Sequence, residues 1–451
     1  MIQPDSRCAA GLPLLALLLC GFQATNHAIS IPVIVTAAPV YDALAGLRGG
    51  ERFPRGAQLL RVEDGAAAPL VAGFAASADA NLSFDAQRVL FAGKKSADDP
   101  WSIWELTLSS RSLRQVIGGA SDAVRPMYLP GDRLVYAHRT QSGFRIEAAG
   151  LDGTHVLPLT YTPGNALPDD VLYDGRILFE SGFPLGSGAT PEMFLVYSDG
   201  SGVESYRCDH GTARWGGRQL ASGDVVFTHG ATLARFTSPL ANEAPVTAPR
   251  ADYAGAIAEL ASGDWLVSAR PGPAGKYALK VWKPGTPLLR TVFARDGEDL
   301  VEPVLVAPRE RPNKHPSGLH DWNYANLLAL DARQSREGIV KGSLALVRVQ
   351  ALDPAGNTVE LGEAPVEADG SFFVQTPADR PIRFVLLDAH GAVLRQEHGW
   401  FWARRGEQRI CVGCHTGPER ASENRVPAVL LHTTTPVALN GIGSQPNAEG
   451  R

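Results

Sequence analysis

A pattern that returns every 40–48 residues limits this 451-residue chain more than any other feature. A small or polar turn followed by three or four apolar residues appears as Arg88-Val89-Leu90-Phe91, Arg133-Leu134-Val135-Tyr136, Arg176-Ile177-Leu178-Phe179, Asp224-Val225-Val226-Phe227 and Asp264-Trp265-Leu266-Val267. Asp174-Gly175 and Ser222-Gly223 supply turn chemistry ahead of two copies, and further strand-like runs follow at Ser102 to Leu106 and Ala278 to Trp282. A repeat of this length holding four short strands cannot bury its own faces, so several must stack in a ring. Gln58 to Val62 and Pro303 to Val306 are read as sharing one further unit, which would cover the last sheet edge. The expectation is an all-β fold: a TolB/WD40-like β-propeller over residues 29–308 with six blades, five or seven being the alternatives. A pair of β-sandwiches with accidental spacing is the competing reading.

The remainder divides by composition. The charged, proline-containing stretch from Arg309 to Pro316 reads as a linker, taken as 309–337. Short β-rich runs at Leu344 to Val349, Thr358 to Leu361, Ser371 to Gln375 and Ile382 to Leu387, with turns such as Asp369-Gly370 between them, predict a small immunoglobulin-like β-sandwich at 338–399. Residues 400–439, which contain Cys411-Val412-Gly413-Cys414-His415, are read as a haem-attachment segment and 440–451 as a flexible tail. At the other end, Arg7 precedes the apolar run Leu12 to Leu19, which is shorter than the roughly 20 residues a bilayer span needs. Residues 1–28 are therefore read as a cleaved signal peptide, and the mature chain is expected in the periplasm. Leu17-Leu18-Leu19-Cys20 is a faint lipoprotein site, a lesser alternative. No later run reads as membrane-spanning, so an integral membrane protein is not expected. A net charge of −5 gives no basic field, which argues against nucleic acid as a partner.

The chemistry sits in Cys411-Val412-Gly413-Cys414-His415. Of the five cysteines, Cys8 and Cys20 would leave with the signal, so the chain is not a disulfide scaffold. In an exported chain CxxCH is the attachment motif of a c-type haem: Cys411 and Cys414 add to its vinyl groups and His415 ligates the iron. Half a zinc site, or a disulfide between the two cysteines, competes with this reading. Trp400, Phe401 and Trp402 offer apolar cover for a porphyrin, and Arg404, Arg405, Arg409, Arg420 and Arg425 offer partners for its propionates.

No methionine follows the motif, and His432 is the sole histidine after it. Either His432 fills the sixth position, or the iron is five-coordinate and open to small molecules, or the ligand comes from the ring. In the ring, Cys208-Asp209-His210-Gly211 and His229 form a candidate group for zinc or for approach to the haem. A buried small hydrophobe and hydrogen-bonded turn histidines are the alternatives there.

At these residues the chain resembles the hydrazine synthase alpha-subunit-like family. The resemblance rests on Leu361-Gly362-Glu363-Ala364-Pro365, Asp369-Gly370-Ser371-Phe372, Pro377-Ala378-Asp379, Leu386-Leu387-Asp388-Ala389, and Trp400-Phe401-Trp402 with Gly406-Glu407 and the CxxCH. The Cys208 loop and the Ser222 to Phe227 strand share in it. It covers roughly 200–430. It implies a periplasmic propeller packed on a haem-bearing domain. In the family enzyme the motif His turns to zinc and a nearby Tyr ligates the iron. Here the last tyrosine is Tyr324, and Glu419 stands four residues after His415 as a further metal candidate. These departures imply the same scaffold without hydrazine synthesis. The expectation is an exported redox protein with one haem c and a periplasmic redox partner, with zinc as a second metal option. The alternatives are an electron-transfer subunit and an interaction module whose CxxCH is structural or zinc-bound.

Overall fold

The structure is a computed structural model that describes residues 31–162, 164–182, 190–207, 211–238, 241–335, 338, 340, 342–413 and 425–441. The expected signal peptide, and Cys208, His210, Cys414, His415 and Glu419 among the candidate site residues, lie outside the described residues.

Residues 33–305 form six sheets. The five apolar runs of the repeat become the second strands of five of them: Arg88–Lys94, Arg133–Thr140, Ile177–Gly182, Val225–His229 and Trp265–Arg270. Val89, Leu90 and Phe91 are all 0% exposed. A strand covered on both faces reads as a continuous apolar run rather than an alternating one. Neighbouring sheets meet through their inner strands, and the sixth returns to touch the first. The result is a propeller-like all-β body.

The closing sheet runs in the order Asp299–Leu305, Val33–Ala38, Gln58–Glu63, Ala66–Pro69. It contains both runs expected to share a unit, with Val33–Ala38 between them. Val33 is in register with Leu305 on one side and Val62 on the other.

Inner strands carry a bulge. Register breaks at Ala78/Asn81, Val124/Met127, Pro168/Asp170 and Trp215/Arg218, and opposite Ile34/Thr36 in the closing sheet. Asp79, Arg125 and Glu302 take left-handed backbone there, with φ of 59°, 51° and 57°. A bulge re-aims its side chain, and these three line a cavity of about 40 Å³ at the centre of the ring.

After residue 305 the chain crosses the ring. Arg309 N donates to Phe84 O at 3.0 Å, Asn313 N donates to Tyr173 O at 2.9 Å, and His315 stacks on Tyr197 with centroids 3.7 Å apart. Gly175 has φ 88°, and a Cβ there would lie 2.3 Å from Asn313 O, so only glycine admits this approach.

The C-terminal body is a sandwich of two four-stranded sheets. One is ordered Thr358–Pro365, Leu344–Leu352, Ile382–Asp388, Val393–Gln396; the other Gln408–Cys411, Tyr324–Ala329, Phe372–Pro377, Val437–Ala438. Leu327, Val349, Phe372 and Phe384 belong to the core between them. The four expected strands are present, but the sandwich extends beyond 338–399. Tyr324–Ala329 falls inside the stretch read as a linker, and Gln408–Cys411 inside the segment read as haem attachment. The first lacks β-branched residues and the second is short and polar, so neither carries a strand signal. Gln408–Cys411 pairs parallel with Tyr324–Ala329, and Val437–Ala438 pairs parallel with Phe372–Pro377. An immunoglobulin sandwich is antiparallel throughout, so this one departs from the expected type. Among the described residues no helix is long and apolar enough to cross a membrane.

Candidate functional site

The segment leading into the CxxCH is fastened to the ring before it reaches the first cysteine. Trp402 is 1% exposed and its Nε1 donates to Gly200 O at 3.0 Å. Arg404 donates to Pro158 O at 2.7 Å and to the Tyr161 hydroxyl oxygen, over whose ring its guanidinium lies. Glu407 accepts from the Arg404 amide at 2.7 Å and from the Gly202 amide at 3.2 Å. Arg409 donates to Val203 O and, at 3.3 Å, to Trp402 O. These contacts reach the third and fourth sheets of the ring, where the short outer strands Leu157–Pro158 and Glu204–Ser205 leave backbone groups for side chains to use.

These contacts give the aromatic and arginine side chains structural duties. Trp402 fills the junction between ring and sandwich, and Trp400 lies under the Arg383 guanidinium at 4.5 Å, so the aromatic run is not a free porphyrin wall. Arg404 and Arg409 are committed to backbone carbonyls, and Arg425 to Asp369, rather than standing free for propionates. An aromatic and arginine-rich segment suits any apolar surface with polar edges, so sequence alone did not say which one it covers.

Cys411 ends the edge strand. It is in register with Ala329, whose other neighbour is Phe372, and its carbonyl accepts from Leu330 N at 2.8 Å. The half-buried thiol is free. Burial pushes its pKa up, and the adjacent Arg409 guanidinium opposes that without cancelling it. The motif therefore leaves the sandwich at the end where Asp331, the Asp369–Ser371 turn and the helix Ala428–His432 gather. Ile410, Val426 and Leu431 are 64%, 60% and 70% exposed beside it in sequence.

His432 lies on that helix. Its Nδ1 is 2.9 Å from Glu367 Oε1, and this hydrogen bond raises the imidazole pKa. His229 Nδ1 sits 2.5 Å from Glu243 Oε1, while Arg214 donates to the other Glu243 oxygen at 2.7 Å. Val203 is held by Arg409, and Arg207 reaches Asn242 at 3.3 Å. Among the described residues no group of three or more His, Cys, Asp or Glu is arranged to hold a metal.

Residues 330–416 match the family described as hydrazine synthase alpha subunit middle domain. The matched stretch runs from Leu330 through the CxxCH and so covers most of the C-terminal sandwich. Kuenenia stuttgartiensis hydrazine synthase superposes with a TM-score of 0.76 at 15% identity, over 90% of this chain and 72% of that one. The shared fold thus extends beyond residues 330–416 into the ring. TolB from Acinetobacter baumannii aligns with a TM-score of 0.47 at 13% identity, over 62% of this chain and 67% of that one. No curated protein sequence matches the chain.

Proposed function

We propose that this chain is an exported c-type haem redox protein, in which Cys411 and Cys414 hold one covalent haem and His415 ligates its iron. The six sheets are then six blades of a propeller serving as the platform for the middle domain. The observation that carries the reading is the double anchoring of the strand before the motif: Cys411 O bonded to Leu330 N, and Arg409 bonded across to Val203 O. That anchoring fixes the first attachment cysteine relative to the ring.

The residues present fit the group. Cys411 brings a free thiol at a strand end. The exposed side chains of Ile410, Val426 and Leu431 offer apolar surface on both sides of the motif, which otherwise faces water. When bound, the haem would supply one-electron chemistry. The protein's own share is to fix Cys411 through the strand, exclude water with the neighbouring apolar groups, and hold the strand against the ring through Arg409 and Val203. A periplasmic location and a redox partner protein belong to the same proposal, as does zinc at Cys208, His210 and His229.

The test is the spectrum and mass of protein matured with a working haem-attachment system. A haem band that survives acid-acetone extraction, and is lost in Cys411→Ser, is the expected result. Colourless protein with the mass of bare polypeptide overturns the proposal.

A second reading, the six-coordinate electron-transfer subunit, is favoured by His432. A ligating histidine commonly has its second nitrogen on a carboxylate. The Glu367 contact occupies Nδ1 and leaves Nε2 available. Carbon monoxide binding decides: an open iron takes it, whereas an iron capped by His432 takes it only in His432→Ala.

A further inference from the structure

The centre of the ring holds a buried charge network that no feature of the haem segment requires. Arg52 donates to Asp79 and to Glu302. Arg125 Nη1 donates to Asp169 Oδ1 at 2.8 Å and to Glu180 Oε1 at 2.7 Å. The Arg125 amide reaches Asp79 Oδ2 at 2.9 Å, the Gly217 amide reaches Asp169 Oδ2 at 3.2 Å, and the Gly216 amide reaches Glu180 Oε2 at 3.4 Å. Side-chain exposure is 5% for Arg52, 4% for Asp79, 9% for Arg125, 3% for Asp169, 0% for Glu180 and 13% for Glu302.

Each guanidinium therefore faces two carboxylates. Fully ionised, the network carries two surplus negative charges in a site nearly sealed from water. Surplus buried charge is relieved by proton uptake or by a counter-ion. A cation is disfavoured, because both guanidiniums already stand among the carboxylates. Glu302 Oε2 is buried without a hydrogen-bond partner, a costlier state for a charged oxygen than for a neutral one.

We propose that Asp169 and Glu302 each keep a proton at neutral pH, which makes the sealing of the ring pH-sensitive. Each half of the network then holds one guanidinium matched to one ionised carboxylate. Glu302 lies on the closing strand Asp299–Leu305, so the proton there bears directly on ring closure. The other groups around the centre do not supply the missing charge. The Tyr41 phenol is neutral, Arg218 is paired with Asp170 at 3.2 Å, and Arg309 is spent on Asn81 and the Leu82 carbonyl at the rim. Apart from Arg218, the fifth and sixth sheets present Gly216, Gly217, Ala254 and Ala256 beside Trp215 among the described residues. Burial, and for Asp169 the neighbouring Glu180, push both carboxyls above their ordinary range, Asp169 to about 8.

The sign follows from linkage. The folded chain holds more protons than the unfolded one between about pH 4, where free carboxyls titrate, and the raised folded value, so stability falls as pH rises through that window and levels off above it. The experiment compares denaturant unfolding of the full chain with that of Asp169→Asn/Glu302→Gln from about pH 5 to about pH 9. For each retained proton the folding constant of the parent should fall about tenfold per pH unit relative to the variant. Parallel pH profiles overturn the proposal, as does restoration of the parent's stability at high pH by calcium. If the variant does not fold, infrared spectra of the parent decide: a neutral-carboxyl C=O band at pH 7 that vanishes by about pH 10 is expected, and its absence at pH 7 overturns the proposal.

Discussion

Arg409 and Val203 join the two bodies of this protein: the guanidinium two residues before Cys411 donates to a ring carbonyl five residues before Cys208. The strand Gln408–Cys411 is thereby tied to the ring beside the short outer strand Glu204–Ser205. Replacing Arg409 with Leu removes this contact and the one to Trp402 O. Hydrogen bonds from charged donors contribute about 1.5–3 kcal/mol each. Arg409→Leu should lower stability by that order, and limited proteolysis should cut first between the ring and the sandwich.

Trp402 anchors the same junction through packing. Trp402→Phe keeps most of the apolar contact and loses the bond to Gly200 O, which should cost about 1 kcal/mol. Trp402→Ala should cost about 3–5 kcal/mol through the space it leaves. Denaturant titration of the pair separates the polar share from the packing share.

Asp369 gives a pH response opposite to that of the ring centre. Burial works to raise its carboxyl, but the Ser371 hydroxyl at 2.6 Å, the Ala428 amide at 2.8 Å, the Ser371 amide at 2.9 Å and the Arg425 guanidinium outweigh it, holding the pKa at about 2. A depressed carboxyl stabilises the fold above its unfolded value of about 4 and loses that contribution as pH falls towards its folded value. Asp369→Asn should be less stable than the parent at pH 7 by about 1–2 kcal/mol, the difference shrinking as the medium is acidified. The amides of Ala428–His432 should exchange faster in the variant.

Gly175→Ala should be destabilising out of proportion to its size. The added methyl needs a left-handed alanine and meets the Asn313 carbonyl. A loss of about 1–2 kcal/mol is expected, together with weaker His315–Tyr197 stacking, seen as a change in tyrosine fluorescence.

The second strands of the ring were legible because burial on both faces turns them into unbroken apolar runs. Their inner partners were not. Ala76–Leu82 and Trp215–Gln219 are interrupted by Asp79 and by Gly216-Gly217, which serve the bulges and the charged centre. The closing pair, Gln58 to Val62 with Pro303 to Val306, was found from the need to cover an edge, but the strand between them was not. In the sandwich, Phe372–Pro377 and Ile382–Asp388 announced themselves by pattern, whereas Gln408–Cys411 is held by a parallel neighbour distant in sequence. The CxxCH needed no structure to be noticed. The duties of Trp402, Arg404 and Arg409 did, since the same side chains serve a protein interface as readily as a cofactor.

The Val33–Leu305 pairing also sets an order of events during synthesis. The ring cannot be sealed until residue 305 has left the ribosome, so the preceding sheets wait with one edge open while the longest loop in the fold is closed. The sandwich follows that last strand after the segment that crosses the ring. Its docking surface, Gly200 to Val203, belongs to a sheet made about a hundred residues earlier. A chain stalled anywhere in between would present an unpaired strand to its neighbours, and premature truncation should therefore yield aggregates rather than a smaller soluble ring.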